Sequence, residues 1–96
     1  MYDLCDAMQK FGKGIGNASR YRIVEALGKG PKTVNQLAHA VKLAQPAVSQ
    51  HLKVLRESGI VTDERCGKEV RYSLDTPHIL GLLTSLSKEV GKPKKK

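Results

Sequence analysis

The sequence predicts a mainly α-helical domain of five helices with one small β-hairpin. Two observations predict it: a pair of helical patterns joined by a short turn over residues 33–58, and two β-prone runs flanking a glycine directly after them. Ninety-six residues supply one core and no second domain.

Leu4, Met8, Phe11 and Ile15 recur at helical spacing and predict a first helix from near Tyr2. Gly12, Gly14 and Gly16 each disfavour a helix interior by up to about 1 kcal/mol, so this helix is expected to fray or bend after Phe11. Asn17 is a good cap for a second helix with Tyr21, Ile23, Val24 and Leu27 on its apolar side, ended by Gly28 or Gly30. Thr33-Val34-Asn35-Gln36 has the spacing of a capping box, in which hydroxyl and amide side chains each satisfy a backbone N–H of the other residue. A short helix follows with Val34, Leu37 and Ala38 inward and Val41 just beyond. After the turn V-K-L-A comes a longer helix over 45–58, whose Pro46 is tolerated because first-turn N–H groups lack helical partners. At about 100° per residue, Val48, Leu52 and Leu55 share one arc, while Ser49, Gln50 and Lys53 share another. Gly59 suits the left-handed terminating position.

Ile60-Val61-Thr62 and Val70-Arg71-Tyr72-Ser73-Leu74 are β-prone and enclose the polar stretch D-E-R-C-G-K-E, which reads as a hairpin over 60–74. Its tip carries Arg65 and Lys68, and Arg71 lies on the returning strand. Thr76 and Pro77 begin the last helix. Its Ile79, Leu80, Leu82, Leu83, Leu86 and Val90 give more apolar surface than one small core requires, so the excess is expected to form a dimer interface with the first helix packed against it. Together these elements predict a dimeric winged helix-turn-helix: five helices plus a two-stranded wing over residues 1–91, followed by a flexible basic tail over 92–96.

That geometry rests one helix across a duplex backbone and points the next into the major groove. Gln45, Ser49, Gln50 and Lys53 are the expected base contacts, because Ser and Gln donate and accept hydrogen bonds and Lys adds charge. Arg20, Thr33, Arg56, Arg65, Lys68 and Arg71 are the expected phosphate contacts. Composition agrees: 17 Lys and Arg against nine Asp and Glu give a net charge of +8 and suit a polyanionic partner. Lys92, Lys94, Lys95 and Lys96 hold four of those charges, and without them the domain is still basic at +4. The tail reads either as a solvated end or as an arm adding non-specific phosphate attraction. Four aromatic residues, Tyr2, Phe11, Tyr21 and Tyr72, are too few for base-stacking platforms on single strands. No run approaches the roughly 20 apolar residues of a membrane span, and no secretion signal is evident, so the protein is expected to be cytoplasmic and away from membranes.

The chain resembles the ArsR/SmtB family of winged-helix repressors. The resemblance runs through A-S-R-Y-R-I-V-E-A-L (18–27), N-Q-L-A (35–38), Q-P-A-V-S-Q-H-L-K-V-L-R-E-S-G-I-V (45–61) and V-R-Y-S-L (70–74), in the expected order and spacing. It implies a symmetric dimer whose two recognition helices read successive major grooves of an inverted repeat. It also implies transcriptional repression, released in many relatives by a metal ion, metalloid or thiol oxidant.

The effector positions of that family are poorly matched. The helix before the recognition helix reads V-N-Q-L-A-H-A, without the thiols that family sensors often carry there. A second family site pairs Asp and His at the start of the last helix with His and Glu about three turns later. Here His78 matches one ligand, Thr76 stands two residues before it, and Glu89 and Lys92 occupy the later positions. Cys5 and Cys66 form no C-x-x-C pair, so no metal site and no cofactor are expected. Both cysteines are candidates for a redox role. Arg65 and Lys68 around Cys66 would favour its thiolate. His39 reads as a helix-end residue and His51 as an edge residue near the helix packing. No nucleophile, base and orienting group line up for catalysis, and Gly12, Gly14 and Gly16 follow no strand that would make them a phosphate loop, so no enzyme is expected. Three other readings stay open: a thiol- or metal-responsive repressor, a non-specific architectural DNA-binding protein, and a winged helix used only to bind another protein.

Overall fold

The computed structural model describes the backbone of residues 4–91 and the side chains of residues 6–88. The elements run α1 (Leu4–Ile15), α2 (Ala18–Leu27), β1 (Lys32–Thr33), α3 (Val34–Val41), α4 (Gln45–Glu57), β2 (Val61–Cys66), β3 (Glu69–Leu74) and α5 (Thr76–Gly91). The architecture is a winged helix-turn-helix. Its core gathers Ile23 and Leu27 of α2, Leu37 and Val41 of α3, Val48, Leu52 and Leu55 of α4, then Ile60 and Val61 where the chain enters the wing. Each helix therefore contributes residues three, four or seven apart, the stripe that one helical face can bury.

Local chemistry sets the boundaries. Asn17 caps α2 by accepting from the Arg20 N–H. Thr33 and Gln36 form the complete capping box of α3: the Thr33 hydroxyl accepts from the Gln36 N–H at 3.2 Å, and the Thr33 N–H donates to Gln36 Oε1 at 2.9 Å. α3 ends at Lys42, which takes the left-handed conformation at φ 58°. That reversal leaves only Lys42, Leu43 and Ala44 between α3 and α4 and makes the tight turn. Ser58 closes α4, donating from its hydroxyl to the Val54 carbonyl at 2.8 Å. Gly59 follows at φ 79°, a conformation strongly disfavoured for residues with a Cβ.

Five sequence expectations need correction. α1 does not break after Phe11 but continues to Ile15, because Gly14 is buried against its neighbours: a Cβ there would meet Ile60 Cδ1 at 2.5 Å and Ser58 Oγ at 3.0 Å. The glycine permits a close helix approach that offsets its poor propensity. Tyr21, assigned to the apolar face of α2, is 51% exposed. The sheet has three strands in the order β1-β3-β2, since Lys32 and Thr33 pair with Tyr72 and Arg71. The wing strands are longer than the apolar runs suggested and pair antiparallel from Val61 opposite Leu74 to Cys66 opposite Glu69. Only Gly67 and Lys68 connect them, with Gly67 at φ 65° in the first turn position, where a tight hairpin of this kind requires glycine. Finally, α4 ends at Glu57, with Ser58 as its cap. The start of the first helix at Tyr2, the Val90 side chain and the basic tail over 92–96 lie outside the described structure.

Candidate nucleic-acid interface

α4 has two unlike sides. Val48, Leu52 and Leu55 are buried to within 1% of completeness, whereas Gln45, Ser49, Gln50 and Lys53 are all exposed. The core contacts fix the rotation of the helix about its axis, so the polar arc is held outward by packing. Gln45, at the first position of α4, donates from Nε2 to Asn35 Oδ1 on α3 at 2.8 Å. Sequence spacing gave no sign of that partner, because only the crossing of the two helices brings residues 35 and 45 together.

The expected phosphate contacts stand in different circumstances. Arg65 and Lys68 are exposed on the wing, Arg65 in β2 and Lys68 in the turn. Arg56 pairs with Asp63 at 2.8 Å, joining α4 to β2, and Arg71 lies 3.9 Å from Glu69. Both pairs are about half exposed or more on the arginine side, where such contacts contribute only about 0–1 kcal/mol and can be exchanged for another anion. Thr33 is half-buried at the N-terminus of α3, where its hydroxyl oxygen serves the capping box.

Arg20 departs from expectation. Its Nε donates to the Gly14 carbonyl at 2.8 Å and Nη2 to the Lys13 carbonyl at 3.0 Å, while Nη1 lies 3.5 Å from His51 Nδ1. The guanidinium thus satisfies carbonyls at the C-terminal end of α1, where a cation is favoured, and links α1, α2 and α4. Burial first, and then the nearby Arg20 charge, push the His51 pKa below its ordinary value.

Cys66 is exposed at the last position of β2 with Glu69 opposite it, and the Cys5 side chain lies outside the described residues. His78 places its ring against the wing entry: a Cβ on Gly59 would lie 2.7 Å from its Nε2. Among the described residues no three metal-binding side chains gather.

A family profile described as bacterial regulatory protein, arsR family, matches residues 17–63, which contain α2, β1, α3 and α4. The HTH-type transcriptional regulator Rv2034 of Mycobacterium tuberculosis is 38% identical over 76 residues, covering 79% of this chain and 71% of that protein. The chain belongs to the ArsR family. Another ArsR-type relative, the HTH-type transcriptional repressor SmtB of Mycobacterium tuberculosis, is 38% identical over 77 residues. That match covers 80% of this chain but 57% of SmtB, so the chain spans less than two thirds of that relative's length. The crystal structure of NolR from Sinorhizobium fredii superposes with a TM-score of 0.72 at 30% identity, covering 93% of this chain and 89% of that one. The fold of that structure is thus matched over most of this chain.

Proposed function

We propose that the protein is a homodimeric transcriptional repressor that binds double-stranded DNA by sequence. One observation carries the reading: the polar arc of α4 is exposed to solvent and is held outward by a buried apolar arc. Gln45, Ser49, Gln50 and Lys53 would meet base edges, with Ser49 and Gln50 central. Arg65 and Lys68 on the wing, together with Thr33, Arg56 and Arg71, would meet phosphates; Arg20 is left out because α1 uses its guanidinium. Membership of the ArsR family supports this reading, and so does the net charge of +8. Two copies joined through α1 and α5 would present two α4 helices to an inverted repeat. No described helix is long and apolar enough to cross a membrane, and the proposed site of action is DNA in the cytoplasm. No catalytic step and no cofactor are part of the proposal. A thiol switch at Cys66 is not part of the proposal.

Selection of bound sequences from a random duplex pool tests this directly. The expected product is one inverted repeat, with Gln50→Ala relaxing preference at one position per half-site by roughly 5- to 150-fold, the equivalent of a lost bidentate contact at about 1–3 kcal/mol. Arg65→Ala should weaken binding to all duplexes alike and flatten the salt dependence. Equal affinity for every duplex at physiological salt would replace this reading with an architectural one.

A further inference from the structure

We infer that Asn35 is a specificity-determining residue acting through Gln45, and that the pair selects adenine over guanine at one position of the bound duplex. The inference rests on the reading that α4 enters the major groove. Asn35 is the second residue of α3, inside the turn fixed by the Thr33–Gln36 capping box. Gln45 is the first residue of α4, and both side chains are exposed. An unrestrained glutamine amide can turn over and exchange its donor and acceptor edges, so fixing its orientation sharpens what it reads. Here one of the two Nε2 hydrogens is directed to Asn35 Oδ1 at 2.8 Å. Turning over the glutamine alone would set two carbonyl oxygens against each other.

In this orientation the amide leaves Oε1 as acceptor and one N–H as donor for a partner. One acceptor beside one donor complements the major-groove edge of adenine, which offers the N6 amino donor and the N7 acceptor. Guanine offers two acceptors, O6 and N7, and would leave Oε1 facing a carbonyl. Asn35 touches no base in this scheme. It is a positioning residue, and it converts a flexible side chain at the start of α4 into a directional one.

The test measures base preference with duplexes varied one position at a time around the selected site. The position read by Gln45 is the one whose preference disappears in Gln45→Ala, and adenine is expected there in the wild type. Asn35→Ala should lower the adenine-to-guanine ratio at that position alone by about three- to tenfold, the scale of one net hydrogen bond. Asn35→Asp keeps the acceptor but cannot donate, so it should preserve the ratio even if its added charge lowers affinity for every duplex. Thermal unfolding checks that each variant is folded. A full ratio in folded Asn35→Ala, a lost ratio in Asn35→Asp, or guanine preferred at the Gln45 position would each overturn the inference while leaving the repressor reading intact. A wild-type protein with no base preference anywhere would instead overturn both.

Discussion

His51 sits where three helices meet, half-buried in α4 with the Arg20 guanidinium beside its Nδ1. Its pKa is lowered in the folded protein, so on acidification the unfolded chain takes up a proton that the folded chain refuses. Stability is therefore expected to fall as pH drops from the ordinary histidine value of 6.5 toward the lowered folded value, and to be insensitive to this group at higher pH. Urea midpoints at pH 7.5 and 5.5 measure the effect. His51→Gln should show a smaller drop than the wild type, and an equal drop would remove His51 from the explanation. Gly59 offers a second test at this scale. Its positive φ and the His78 ring both resist a side chain, so Gly59→Ala should cost about 1–3 kcal/mol by denaturant unfolding. Adding His78→Ala should recover only the steric part of that loss, because the backbone conformation is unchanged.

α1 shows how one element can be judged differently by propensity and by packing. Its three glycines argue for a broken helix, yet it is continuous to Ile15, with Gly14 lying against Ile60 and Ser58 and the Arg20 guanidinium satisfying its last carbonyls. Gly14→Ala gains up to about 1 kcal/mol in helix propensity. Its Cβ, however, meets a fully buried Ile60, and overpacking of that kind costs about 1–3 kcal/mol. Packing should win, giving a net loss of stability, and Ile60→Val should partly relieve it by removing Cδ1. Additive losses in the double variant would show that the two residues do not press on each other. The same contrast explains what the sequence made legible. Thr33, Gln36, Pro46 and Gly59 carry their meaning in local geometry, and the buried stripe of α4 follows from periodicity alone. The Asn35–Gln45 bond, the Arg20 bridge and strand β1 depend on which elements cross. Lys32 and Thr33 have no strand signal of their own and become one only because Tyr72 and Arg71 lie beside them.

At the scale of the whole molecule, α5 is only partly used by the chain that carries it. Leu82 is buried, but Leu80, Leu83 and Leu86 are 56%, 44% and 40% exposed and follow one another at three-residue spacing. α1 packs against α5, so the two helices form one continuous side of the domain. A second copy covering that side would bury the leucines and set two α4 helices at a fixed separation. The dimer is therefore expected to be the binding unit, and the duplex affinity should depend on it. Leu83→Glu would place a charge in the joint, which is costly without a partner. Sedimentation equilibrium should show a dimer for the wild type and a monomer for the variant, with thermal midpoints that rise with concentration only for the wild type. Joining two half-site contacts makes the second one intramolecular, so the variant should lose about 10²-fold or more on a full inverted repeat. It should lose little on an isolated half-site, where only one α4 can engage. A monomeric wild type that still prefers the full repeat would separate DNA reading from α5 and leave those leucines to some other partner.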